Sequence, residues 1–162
     1  MPTTARIGFA ACLLLTAALA LAPALARSDF DRVVDFSVSL KTVAAAADGK
    51  AALPEGKLFL LDGTVSDVSI LDKEQGSFRA RIELITGEWI GTEDVKSYSC
   101  WIEFSGPAFF KLFPARAPKD PTPDMVFLNS RLLVVARTIG VTTSHQGEKR
   151  MLMEGLSTRV IK

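Results

Sequence analysis

The chain has 162 residues, of which 48% are hydrophobic and 23% are charged, with 19 Lys and Arg against 18 Asp and Glu. This length fits one domain with a tail and excludes a large multidomain enzyme, and the hydrophobic fraction excludes a disordered chain. Two cysteines and one histidine exclude a disulfide scaffold and leave almost no N/S ligands for a metal, while a net charge near zero argues against a general polyanion binder.

The N-terminal segment has the pattern of a secretory signal. A basic residue near the start precedes an apolar run over 7–21, and Ala24 and Ala26 supply the small side chains that a signal peptidase requires. We expect cleavage before Arg27, which leaves a mature chain without net charge and without a membrane span. An uncleaved anchor and lipid attachment at Cys12 are the alternatives. The Ala- and Leu-rich signal favours export to a bacterial periplasm, with secretion as the alternative.

An opening helix is predicted over 28–49. Apolar side chains from Phe36 to Ala47 recur at helical spacing, and Gly49 marks the stop. A strand-like alternation over Val34–Leu40 competes with the helix. The helix is therefore predicted from the alanine-rich second half of the segment. Residues 51–56 form a linker.

Strand-like sequence begins at Lys57. The first strand, over 58–71, contains Gly63 and changes its apolar parity midway, which predicts a bulge or a sharp bend. The second and third strands each place apolar side chains on one face and polar ones on the other, and residues 86–95 between them are expected to form a loop. The residues expected to point inward are Phe78, Ala80, Ile82, Leu84, Tyr98, Cys100, Ile102 and Phe104.

The remaining elements follow a short apolar segment over 108–113, which predicts one or two helical turns that plug the barrel. Four prolines then predict an extended crossing. Residues 132–141 form a fourth strand that is apolar on both faces and therefore central or covered. A turn over 142–148 leads into a last strand over 150–161.

Five strands with a helix between the third and fourth resemble the OB-fold superfamily. The resemblance is carried by Leu61–Val65 in a bending first strand, by the helix position at Gly106–Phe113, and by the hairpin of Val134–Val141 and Lys149–Gly155. The helix that precedes the barrel is similar to that of exported bacterial OB-fold proteins. The prediction is a mainly β fold, a five-stranded OB-like Greek-key barrel, with a small β-sandwich as the alternative. Its expected parts are a signal peptide over 1–26, an N-terminal helix and linker over 27–56, and the barrel over 57–162.

Catalytic patterns are absent from the sequence. It contains no Gly-x-Ser-x-Gly elbow and no Ser-x-x-Lys pair, and its only histidine, His145, falls in a predicted turn. An inward Cys100 would have a raised pKa and be inert. The turn Asp72–Gly76 carries acidic side chains that could bind calcium, but they lack the regular spacing of a calcium-binding loop. We therefore predict no enzymatic activity, no cofactor and no metal site.

The outward face of the second and third strands is where OB-folds bind ligands. Here it offers Arg79 and Arg81 beside Trp101, an arrangement suited to stacking on a ring. Glu83 and Glu103 share the face, so simple cross-strand ion pairs are the alternative.

Trp89, in the expected loop, either caps the barrel or offers an exposed anchor. The candidate ligand-binding residues are Arg79, Arg81, Trp101 and Trp89.

The main functional prediction is an exported, non-enzymatic binding or assembly module of the bacterial envelope that contacts a protein partner or a modest ligand. Absence of net charge argues against nucleic acid as a partner, because phosphate neutralisation dominates that affinity. An oligosaccharide or single-stranded nucleic-acid binder is the alternative in the same fold. A small hydrolase is the alternative from another class, if His145 meets acidic side chains across a cleft.

Overall fold

The computed structural model describes residues 33–143 and 147–161. The predicted signal segment with its cleavage position and His145 lie outside the described residues. The helix and all the long strands belong to one compact unit, Asp35–Lys162. Within the two described ranges, no helix is long and apolar enough to cross a membrane.

Five long strands close into a barrel. Their order is β2-β3-β4-β6-β5, and β5 pairs back with β2. All of these pairs are antiparallel except β4 with β6, which run parallel. This is the OB-fold order, which confirms the predicted fold class, while a two-residue strand brings the count to six. The bounds are β1 (Val34–Asp35), α1 (Leu40–Ala47), β2 (Leu58–Asp72), β3 (Arg79–Ile90), β4 (Asp94–Ser105), β5 (Arg131–Thr143) and β6 (Lys149–Ile161).

Helix α1 occupies only the alanine-rich second half of the segment predicted to be helical. The backbone N–H and the hydroxyl of Ser37 donate to Asp35 Oδ1 at 2.8 and 2.7 Å, which fixes a turn where the helix was expected. Ser39 then caps the helix, since its hydroxyl accepts from the N–H of Thr42 at 3.3 Å. The helix buries Leu40, Val43 and Ala47 against the barrel.

Strand β2 bends so that it serves two neighbours. It pairs with β5 as far as Thr64 and with β3 from Thr64 onward. A Cβ at Gly63 would lie 2.8 Å from the carbonyl oxygen of Ile85 and 2.8 Å from Leu84, so only glycine allows this approach. The predicted bulge is confirmed by a register shift between Val65 and Asp67.

The predicted inward faces of β3 and β4 are confirmed except at Tyr98, which is only half-buried at the edge of the core. Ala80, Ile82, Leu84, Cys100, Ile102 and Phe104 are all 0% exposed. The predicted loop over 86–95, by contrast, is wrong. Cross-strand pairing continues from Thr86 with Tyr98 to Ile90 with Asp94, because large and β-branched side chains there suit a two-stranded ribbon. Only three residues around Gly91, whose φ is 72°, form the turn.

One end of the barrel is closed by phenylalanines. The predicted helical segment is a 3-10 turn over Pro107–Phe109. It leads to Phe113, which is 1% exposed and packs with its ring centroid 4.9 Å from that of Phe104. This plug agrees with the role expected from the sequence.

The second half of β5 is more exposed than its apolar sequence predicts. Ile139 and Val141 are each 53% exposed. Strand β2 pairs with β5 only as far as Phe59 with Ala136, so beyond that point β6 is the one strand that pairs with β5 among the described residues. The expectation of a strand covered along its whole length is therefore wrong.

Candidate functional site

The outer face of β3 and β4 forms one continuous surface. Side chains alternate along each strand, and the cross-strand pairs Arg81 with Glu103, Glu83 with Trp101 and Trp89 with Val95 lie in one register. We call this surface the hairpin face. Its members are Arg79, Arg81, Glu83, Ile85, Gly87 and Trp89 on β3, and Val95, Ser97, Ser99, Trp101, Glu103 and Ser105 on β4.

At one end of the hairpin face, two arginines converge on one carboxylate. Glu103 accepts from Arg79 Nη2 at 3.2 Å and from Arg81 Nε at 2.9 Å, and its side chain is 12% exposed. Desolvation acts to raise the pKa of Glu103, but the hydrogen bonds from Arg81 and Arg79 outweigh it and lower the pKa. The cross-strand ion pairs that the sequence offered as the alternative are therefore present at this end of the face. An anionic ligand would have to compete with Glu103 for Arg79 and Arg81.

Trp101 lies at the middle of the face beneath an arginine that sequence reasoning did not identify. The Arg150 guanidinium carbon is 5.9 Å from the Trp101 ring centroid. Arg150 also bonds Glu83 through Nη1 and Glu148 through Nη2, the latter at 2.9 Å. The only sequence signal for Arg150 is its place in a basic Lys-Arg pair beside the last predicted turn.

Trp89 lies on an arm that extends beyond the barrel. Strand β2 pairs with β3 only up to Ile85, and β4 pairs with β6 only over Trp101–Glu103, so within the described chain residues 86–98 pair only with each other. Trp89 is 71% exposed and faces Val95, which is 52% exposed. Of the two predicted roles, the exposed anchor fits this position and the barrel cap does not. Six residues separate Val95 from Trp101, a span of roughly 20 Å.

A groove of about 800 Å³ borders the hairpin face between α1, the edge of β4 and the start of β6. We call it the edge groove; it shares Glu83, Ile85, Ser97 and Ser99 with the face. Five cationic and three acidic side chains line it, an excess of two positive charges. These are Lys41, Lys50, Lys96, Lys149 and Arg150, with Asp48, Glu83 and Glu148.

Tyr98 lies in the edge groove between two lysines. The Nζ atoms of Lys41 and Lys96 lie 5.7 and 5.5 Å from its ring centroid. Its hydroxyl donates to Glu88 Oε2 at 2.9 Å, and Lys41 Nζ donates to the same oxygen at 2.7 Å. The hydrogen bonds from Lys41 and Tyr98 lower the pKa of Glu88. The charged carboxylate thereby holds the arm to α1.

Of the catalytic side chains considered from the sequence, the structure describes Cys100, whereas His145 lies outside the described residues. Burial raises the pKa of the Cys100 thiol to about 12, as the inward position predicted, so the thiol is protonated and unreactive at neutral pH. Across residues 33–143 and 147–161, no group of three or more His, Cys, Asp or Glu side chains is arranged to hold a metal.

Comparison with known proteins gives similarity of fold only. No family model and no curated protein matches the chain. Among solved structures it is similar to a single-stranded DNA-binding protein from Thermus aquaticus, with TM-score 0.40, 9% identity, and coverage of 65% of this chain and 49% of the other. The chain thus spans about half the length of that protein.

Two further structures are similar. One is a small single-stranded DNA-binding protein from Streptomyces coelicolor, with TM-score 0.37, 10% identity, and coverage of 68% of this chain and 96% of the other. The other is a Plasmodium falciparum SSB in complex with ssDNA, with TM-score 0.37, 16% identity, and coverage of 68% and 99%.

Two sequence-based predictions are corrected against this finding. The main prediction was an envelope module that contacts a protein or modest ligand, and nucleic acid was argued against as a partner. The three neighbours are described as single-stranded DNA-binding proteins or as a complex with ssDNA, and neither prediction agrees with that description. At TM-scores of 0.37–0.40 and identities of 9–16%, the likeness carries no argument about the ligand of this chain, which has to follow from its own side chains.

Proposed function

We propose that this protein binds single-stranded nucleic acid, with bases stacked along the hairpin face and phosphates in the edge groove. The observation that carries the proposal is the placement of Trp89 and Trp101 on one continuous face beside a groove with an excess of positive charge. Proteins that bind single strands combine these two elements, a basic groove and aromatic stacking platforms.

The stacking element is best developed at the arm. An indole that is 71% exposed gains contact area when a base covers it, and every base has a face to offer. Trp101, under Arg150, is half-buried and provides a second platform about 20 Å away. That span leaves room for several nucleotides between the two indoles.

The phosphate element is the edge groove. Lys96 and Lys149 line it and, among the described residues, have no salt-bridge partner, so both ammonium groups are available to phosphate oxygens. Lys41 and Arg150 are held by carboxylates and contribute less. A net gain of about two phosphate contacts predicts a slope of log K against log salt near −1.4, since each contact contributes about −0.7 for single strands.

The groove also explains why the charge argument from the sequence failed. Net charge is a sum over the whole chain, whereas a ligand responds to the side chains within about one Debye length, roughly 8 Å at physiological salt. Acidic side chains elsewhere cancel the groove in the sum without cancelling its local field. Stacking, moreover, does not depend on charge at all.

A neutral oligosaccharide could use the same indoles. It has no need of lysines, however, and the two groove lysines that lack a salt-bridge partner among the described residues, Lys96 and Lys149, favour a ligand that carries phosphates. We propose a binding protein without catalytic activity. If residues 1–26 direct export as predicted, the nucleic acid that it meets is outside the cytoplasm.

The test is fluorescence anisotropy with a labelled oligothymidylate of about 20 nucleotides, longer than the roughly 4–16 that one OB-fold covers. Trp89→Ala should cost about 1–3 kcal/mol of binding free energy, a loss of roughly 5- to 150-fold. Lys96→Ala and Lys149→Ala should each reduce the salt slope by about 0.7.

Two controls match these variants. Ile139→Ala removes an apolar side chain that is 53% exposed on β5, and Lys119→Ala removes an exposed lysine from the proline-rich crossing; neither should change binding. Wild-type affinity in Trp89→Ala, or binding that does not vary with salt, would contradict the proposal. Preference for a neutral dextran oligosaccharide over oligothymidylate would replace nucleic acid with sugar as the ligand.

A further inference from the structure

A second pocket lies apart from the hairpin face and the edge groove and shares no lining residue with either. It has a volume of about 640 Å³ and opens between the β2–β3 turn and the crossing that follows β4. This volume falls within the roughly 300–1,000 Å³ typical of small-molecule sites.

The floor of the pocket is aromatic and rigid. Phe78 and Phe113 are 2% and 1% exposed, with ring centroids 6.4 Å apart. Phe110 meets Phe78 edge-on at 5.7 Å. Because these rings also pack into the barrel plug, the floor is already formed without a ligand. Met125 and Ile70 extend the apolar wall.

The charged lining has a definite balance. Lys73 comes from the β2–β3 turn and Lys111 from the crossing, both exposed, and among the described residues neither has a salt-bridge partner. Asp124 also lines the pocket, so the lining carries one positive charge in excess. An occupant with a single negative charge would balance it, while a dianion or a cation would not.

We infer that this pocket binds a small amphipathic carboxylate, with its apolar body against the half-buried side chains of Phe110, Met125 and Ile70 above the buried floor, and with its carboxylate between two lysines, Lys73 and Lys111. Apolar contact supplies the affinity, and the two ammonium groups select a monoanion over a neutral molecule of the same shape. The inference does not depend on nucleic-acid binding at the hairpin face.

The experiment is isothermal titration calorimetry of the full-length protein with decanoate. Decanol serves as the neutral molecule of the same chain length. Decanoate should bind more tightly than decanol. Ala115→Trp places a large side chain at an exposed position in the pocket and should weaken decanoate by about 10-fold or more, equivalent to about 1.4 kcal/mol. Ala117→Trp, on the same segment but outside the lining, should bind as the wild type does.

A second pair of variants tests the head-group contacts. The double change Lys73→Ala with Lys111→Ala should bring decanoate down to the affinity of decanol, whereas Lys119→Ala should have no effect. Decanoate should also leave oligothymidylate binding unchanged, because the two sites share no residue. The inference is overturned if the wild type does not bind decanoate, if Ala115→Trp binds it normally, or if removing both lysines changes nothing.

Discussion

Gly155 lies where the barrel has no room for a side chain. It is buried on β6, paired with Ala136, and a Cβ built on it would lie 2.3, 2.6 and 2.7 Å from three ring atoms of Phe104. The ring cannot swing away freely, because its centroid lies 4.9 Å from that of Phe113 and 5.1 Å from that of Phe109. Gly155→Ala therefore forces the plug of the barrel to shift.

The expected cost is that of overpacking a core, about 1–3 kcal/mol of the free energy of unfolding. At this chain length, roughly 4 °C of Tm correspond to each kcal/mol, so the melting temperature should fall by about 4–12 °C. Urea denaturation followed by circular dichroism measures the free energy, and calorimetry measures Tm.

The matched control is Gly140→Ala on β5, where a Cβ would meet nothing within 4 Å and the backbone has no positive φ. Alanine there should be neutral or stabilise by about 0.5–1 kcal/mol, since glycine loses more backbone entropy on folding.

Replacing the Phe104 ring with a smaller side chain should restore room for the methyl group that Gly155→Ala adds. In a double-mutant cycle, Phe104→Leu combined with Gly155→Ala should be more stable than the sum of the two single changes predicts, by about 0.5–3 kcal/mol. If Gly155→Ala is as stable as Gly140→Ala, or if the cycle shows no coupling, the packing described for this end of the barrel is incorrect.

Three further predictions concern the thiol, the register and the N-terminus. Because burial raises the pKa of Cys100 from 9.0 to about 12, the unfolded chain loses this proton first as pH rises. Wild-type stability should therefore fall relative to Cys100→Ala by up to about 1.4 kcal/mol between pH 9 and 10, measured by urea denaturation, and a constant difference would refute burial of the thiol. Ile102→Ala, at a position 0% exposed, should cost about 2–5 kcal/mol and Trp101→Ala much less; the reverse order in thermal melts would mean a register error of one residue. N-terminal sequencing of protein from its native source should begin at or near Arg27, and retention of Met1 would favour the uncleaved anchor.

Local patterns in the sequence predicted the strand faces correctly. Alternation with a period of two is a property of each strand alone, so the burial of Ile82 and Cys100 could be predicted without knowing their neighbours. The five-strand order then limited the topology to few choices, which is why the OB-like barrel was predicted and found.

The functional prediction failed because it used the net charge of the whole chain instead of the positions of the charged side chains. A whole-chain charge near zero was taken to argue against nucleic acid, yet the lysines of the edge groove come from α1 and the turn after it, from β4 and from the start of β6. No pattern within any one of these segments shows that the other two lie beside it.

The sequence by itself determined which side chains on each strand point inward, and hence that Arg79, Arg81 and Trp101 share the outer face. Only the tertiary structure decided where pairing stops: β2 leaves β3 at Ile85, so the arm extends beyond the barrel and exposes Trp89. It also decided that Arg150 lies over Trp101, because the parallel pairing of β6 with β4 joins segments about 50 residues apart. Strand faces follow from local geometry, whereas strand ends and neighbours depend on which distant segments the closed barrel brings together.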